Sequence, residues 1–111
     1  MKPAFFLLLV LLALPPVIAA DGEPASRGKQ VFNYWCQPCH GQGTDKPGTV
    51  ALQAKYKGQV PAELEKRRDL TPAITKRFVR TGISVMPFFR QTEISNADLE
   101  ALAAYLAGPG S

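Results

Sequence analysis

The sequence predicts a small all-helical domain, and three stretches carry that prediction. Gly28, Phe32, Trp35, Cys36 and Cys39 recur at i, i+4, i+7, i+8 and i+11, the spacing of one helical face. Thr71-Pro72 is a cap followed by proline at the first helical position, with Ile74, Phe78 and Val79 as an apolar face and Gly82 as the stop. Ser95 opens a third helix in which Leu99, Leu102, Ala103 and Leu106 repeat at i, i+3, i+4 and i+7 before Gly108-Pro109 ends it.

The chain of 111 residues opens with Met1 and a single Lys2, followed by an apolar block from Phe5 to Leu14, Pro15-Pro16 and a small-residue end at Ala19-Ala20. This pattern predicts a secretory signal peptide over residues 1–20, cleaved at Ala19 or Ala20, rather than a permanent anchor. The apolar block is shorter than the ~20 residues a bilayer needs, and the two prolines after it would interrupt a spanning helix. The expected mature domain is residues 21–111, in the periplasm. Loss of Lys2 takes the formal net charge from +4 to +3, and no basic run is interleaved with aromatics, so a nucleic-acid partner is not expected.

The first helix follows a polar lead-in from Asp21 to Ala25, with Ser26 as its expected cap. Gly28 would let a second helix approach closely, and Phe32 and Trp35 face the core. The helix runs into Cys36-Gln37-Pro38-Cys39-His40. Two cysteines separated by two residues and followed by histidine are the attachment signal for a c-type haem, since the thiols add across its vinyl groups while the imidazole reaches the iron. A redox dithiol would be expected to open the helix of a βαβ unit, and zinc wants four ligands. Neither context is visible, and the chain has no other Cys or His. Covalent use of both thiols also suits an exported protein, where a free pair is liable to oxidise. A domain this short buries only about 60% of its unfolded surface, so one covalent haem would complete the core, and the chain without it is expected to be largely unfolded.

The segment Gly41 to Gly48 has no period and is expected to be a loop, with the Pro47 carbonyl a candidate acceptor for the second ring N–H of His40. Val50 to Tyr56 is a mixed stretch closed by Lys57-Gly58, and Pro61 opens a short exposed helix over Ala62 to Arg68 whose charges are read as solvated. After Gly82 comes the non-helical apolar loop Ile83 to Arg90. Met86, in front of Pro87, is the only methionine beyond the signal segment. A thioether favours ferrous iron, so Met86 is the candidate second axial ligand opposite His40. That would close the iron to substrates, and nothing resembles a nucleophile paired with a base, so the chain alone is not expected to be an enzyme. In the last helix, Asp98 stands at the capping-box position, Ile94 and Leu99 form a hydrophobic staple, and Leu102 and Tyr105 should lie against Gly28 and Phe32.

Cys36 to His40, the helix ending at Gly82, Met86-Pro87 and the Leu102–Tyr105 pair together resemble a small monohaem cytochrome c over essentially the whole mature chain. The resemblance implies a class I cytochrome c fold of three to five helices around one covalent haem, crossed terminal helices, His40 and Met86 as axial ligands, and an exposed haem edge. Phe78 to Gly82, Met86 to Arg90, Thr92 to Ser95 and Leu102 to Leu106 are further similar to the cytochrome subunit of 4-cresol dehydrogenase (p-cresol methylhydroxylase) and the eugenol hydroxylases. That similarity implies a separate FAD-containing dehydrogenase subunit as partner. In those proteins the flavoprotein oxidises a 4-alkylphenol by hydride transfer, water adds to the quinone methide, and the cytochrome takes the electrons singly, passing them to a soluble acceptor such as a copper protein or another cytochrome. The alternative is a free carrier diffusing between other redox proteins. Phe88 and Phe89 stand as candidates for either interface anchors or pocket core.

Overall fold

The computed structural model describes residues 23–108 together with Met1; the expected signal peptide over residues 1–20, its cleavage site and Pro109 lie outside the described residues. Helices α1 (Glu23–Val31), α2 (Gln37–His40), α3 (Pro47–Tyr56), α4 (Pro72–Thr81) and α5 (Asn96–Ala107) follow one another, with a π-helical turn at Phe32–Cys36 and a 3₁₀ turn at Leu64–Lys66. No strand occurs among the described residues. The all-helical class is as expected. No helix among them is long and apolar enough to cross a membrane.

The organising contact is α1 across α5. It depends on Gly28: a Cβ there would strike the Ala101 carbonyl oxygen and lie 2.5 Å from Tyr105 Cβ, so any larger residue would push the helices apart. The close approach seals Phe32, Leu102 and Ala103 completely from solvent, and Val31, Leu99 and Leu106 nearly so. Phe32 and Tyr105 rings meet at 6.1 Å. Each such buried apolar side chain contributes about 1.5–3 kcal/mol. Helix α4 joins this core through Val79. Its ends are as expected: Thr71 Oγ1 accepts from the Ile74 N–H at 3.3 Å, and Gly82 closes it with φ of 65°. In α5, Ser95 Oγ accepts from the Asp98 N–H at 3.1 Å, and the staple residues Ile94 and Leu99 are both buried.

Several expectations are corrected. Helix α1 is already running at Glu23, so Ser26 lies inside it and does not cap it. Pro47 is not loop but the first residue of α3, where its missing N–H costs nothing. The expected helix over Ala62–Arg68 is only the 3₁₀ turn, and its charges are not all solvated. Arg67 is buried, gripping Asp69 at 2.5 and 2.6 Å with its guanidinium 4.9 Å from the Tyr56 ring centre. On α4 the covered residue is Thr75, one position on from Ile74, which is exposed. Asp98 completes no capping box; its carboxylate instead takes both Arg27 donors at 2.7 and 2.8 Å, tying α5 to α1.

Candidate functional site

The attachment segment leaves α1 through the π turn, in which the Gln37 N–H reaches back five residues to the Phe32 carbonyl. Pro38 sits in the first turn of α2, and the Gly41 N–H closes that helix onto Gln37 at 2.9 Å. Cys36 is half-buried against the core, Cys39 is exposed, and neither forms a disulfide. Burial, with the neighbouring Cys39 adding to it, pushes the Cys36 thiol up to about 12. A nucleophilic redox thiol needs a depressed pKa, and the burial of Cys36 works in the opposite direction. Among the described residues no group of three or more His, Cys, Asp or Glu could hold a metal ion.

His40 ends α2 half-buried, and burial lowers its pKa, keeping the imidazole neutral and its lone pair free to bind a metal. The ring lies against the start of α3: a Cβ on Gly48 would sit 2.7 Å from its Cε1 and 2.8 Å from Nδ1. Thr49, buried one residue further, donates to the Gly41 carbonyl at 2.7 Å and so pins the intervening loop. The expected bond from the ring to the Pro47 carbonyl is not formed; Nδ1 is buried without a partner. Nε2 makes no hydrogen bond either but is not sealed off.

The Met86 loop is equally constrained. A Cβ on Gly82 would fall 2.7 Å from the Met86 carbonyl oxygen, and its φ of 65° suits glycine, so only glycine lets the chain fold back there. Ile83 and Met86 exchange backbone hydrogen bonds at 3.2 and 2.9 Å, with Ser84 at φ 55° between them. The Phe89 N–H then bonds the Val79 carbonyl at 2.7 Å, and Arg80 holds the Phe89 carbonyl at 3.1 Å and Asn96 Oδ1 at 2.8 Å. Met86 is half-buried. The Phe89 ring meets Trp35 edge-on at 5.7 Å, which joins this loop to the residue beside Cys36. The two candidate roles of the phenylalanines separate here: Phe89 packs on the core, while Phe88 is 58% exposed beside Val85 at 95% and Ile83 at 49%.

The site therefore collects, round one end of the α1–α5 pair, two thiols of which Cys36 is half-buried with a raised pKa, a neutral imidazole with an accessible nitrogen, and a thioether in a braced loop. This donor set fits an iron porphyrin: a metal on Nε2 fixes the tautomer that places the hydrogen on Nδ1, and the exposed apolar side chains suit a flat apolar macrocycle. Gly48, Thr49 and Arg80 were not singled out from the sequence. Only the Pro-Gly pair at the start of α3 hinted at a close approach.

A helical domain of this size with this site is of the cytochrome c class. The model of the family described as cytochrome C oxidase, cbb3-type, subunit III matches residues 23–106, and the chain belongs to that family. No curated protein and no solved structure matches the chain. Family membership makes it a haem c-binding electron-transfer protein.

Proposed function

We propose that the mature chain is a periplasmic electron-transfer subunit carrying one covalently attached haem c and accepting electrons from the FAD of a 4-alkylphenol dehydrogenase of the 4-cresol or eugenol type. Cys36 and Cys39 would anchor the group, each S–H adding across a vinyl double bond without change of oxidation state, and His40 and Met86 would be its axial ligands. When bound, the haem supplies a one-electron ferric/ferrous couple. The chain's own residues would orient it: Gly48 and α3 hold the imidazole ring, the Gly82 turn holds Met86, and the Trp35–Phe89 contact ties the two segments together.

The observation that carries the reading is the coupling of attachment turn and methionine loop through Trp35 and Phe89, with Val85 and Phe88 left facing outward beside Met86. Exposed aromatic and aliphatic residues next to a redox centre support docking of a protein partner there. A free carrier is the second reading. It is favoured by the small extent of that apolar tip, since permanent subunits bury larger apolar interfaces.

The test is to mix the purified cytochrome with the candidate flavoprotein, reduce the flavin with a 4-alkylphenol and follow haem reduction by stopped flow. The subunit reading predicts a complex on gel filtration and a reduction rate that saturates with partner concentration. Slow reduction strictly proportional to partner concentration, with no complex, would leave the free carrier.

A further inference from the structure

The π turn at Phe32–Cys36 has a consequence for which side chains face the pocket. At about 100° per residue, an unbroken α-helix would put Cys39 about 20° from the Gly28 direction and His40 about 120° away from it. The thiol would then lie on the Gly28–Phe32 stripe and the imidazole off to the side. Closing the turn over five residues, through Gln37 N–H to Phe32 O, sets everything after it back by about 100°, one residue's worth of rotation. His40 moves to about 20° from the Gly28–Phe32 stripe, Cys36 moves to about 20° on the other side, and Cys39 swings out to about 80°. Burial follows this shifted phase: Cys36 and His40 are half-buried, with Nδ1 of the imidazole sealed, and Cys39 is exposed. The change of course shows at Cys36, whose φ of −108° departs from the helical value.

We infer that the extra residue in this turn is a phasing device that turns the imidazole inward beside Cys36, against α3, and leaves the Cys39 thiol on the adjoining outer face. Asn33 is the natural residue to assign to it, because it is exposed and its side chain takes part in no hydrogen bond. Its presence in the count matters; its side chain does not. Asn33 is thus a positioning residue acting through His40, and the inference rests on the haem reading above.

The experiment compares three full-length exported proteins: wild type, Asn33→Ala, and a chain with Asn33 deleted. A fourth chain with one alanine inserted after Gln42 controls for a change of length in the loop beyond the site. Haem content, far-UV circular dichroism and the low-spin ferric spectrum are read for each. Asn33→Ala and the loop insertion should keep the wild-type low-spin spectrum. The deletion should keep helical dichroism, lose about tenfold or more of the low-spin signal, the scale on which displaced metal-site groups act, and regain it with added free imidazole. A deletion chain with an unchanged spectrum and potential would overturn the inference, as would loss of the signal in Asn33→Ala. Should the deletion chain fail to fold, the wild-type protein still decides. A scalar coupling across the hydrogen bond from the Gln37 amide nitrogen to the Phe32 carbonyl carbon supports the turn, and one to the Asn33 carbonyl carbon refutes it. Absence of haem from the wild-type protein would instead defeat the haem reading itself.

Discussion

Met86 is held by its backbone on both sides, by the Ile83–Met86 bond pair before it and the Phe89–Val79 bond after it. Removing its side chain should therefore leave the loop in place and change only what the loop offers to iron. Met86→Ala is expected to keep the haem attached, lower the reduction potential and admit cyanide more readily; redox titration and cyanide binding check this, and unchanged values would exclude Met86 as a ligand. Tyr105 makes a second residue-scale prediction. Its hydroxyl donates to Glu65 across the fold, and desolvation first, then that bond, pushes its pKa from 10.0 up to about 12. A folded-state pKa above the unfolded one contributes stability that is complete below pH 10 and lost as pH rises from 10 to about 12. Tyr105→Phe should cost about 1 kcal/mol at neutral pH and show a shallower loss of stability across that alkaline window, as read by urea unfolding. An equal slope in both proteins would contradict the assignment.

The helices differ in how openly their sequences announce them. Helices α4 and α5 are written locally, in Thr71-Pro72 and Ser95 at one end and Gly82 and Gly108 at the other, and the structure has them within a residue of those signals. The opening of α3 is hidden because Lys46-Pro47-Gly48 has the composition of a turn, and the glycine at its second position is explained only by the His40 ring lying against it. Arg67 looked solvated because its partner ring, Tyr56, belongs to another element. The π turn leaves no mark in apolar spacing at all, since an inserted residue merely shifts the phase. The Cys36–His40 pentapeptide and Met86 could be picked out from the sequence as candidate haem residues; the residues that brace them could not, because those act through contacts distant in sequence. The α1–α5 junction gives the prediction at this scale. Its Arg27–Asp98 bond holds the Asp98 carboxyl below the usual 3.8, chiefly by the hydrogen bond from Arg27. A depressed carboxylate contributes stability that is present above pH 3.8 and lost as pH falls through the lower folded-state value. Asp98→Asn should accordingly be modestly less stable than wild type at neutral pH, and the gap should close as pH falls through the carboxyl's lowered folded-state value, as measured by thermal unfolding; a gap that persists once the carboxyl is protonated would mean the loss lies in packing.

At the scale of the whole molecule, the protein part is a crossed helix pair with α4 laid beside it, and the redox end is assembled where the π turn, the start of α3 and the Gly82–Phe89 loop converge. So small a core leaves much of its apolar surface to be completed by the cofactor. A chain with both Cys36→Ala and Cys39→Ala, and hence no anchored haem, is expected to lose most of its helical dichroism and its cooperative thermal transition; a stable fold would show that the protein core suffices. Every functional statement about this domain depends on the attachment at Cys36 and Cys39. The most direct test is the intact mass of the mature protein recovered from a strain able to attach haem. The account predicts the polypeptide plus the mass of one haem, retained after denaturation, and a mass equal to the bare polypeptide would contradict it.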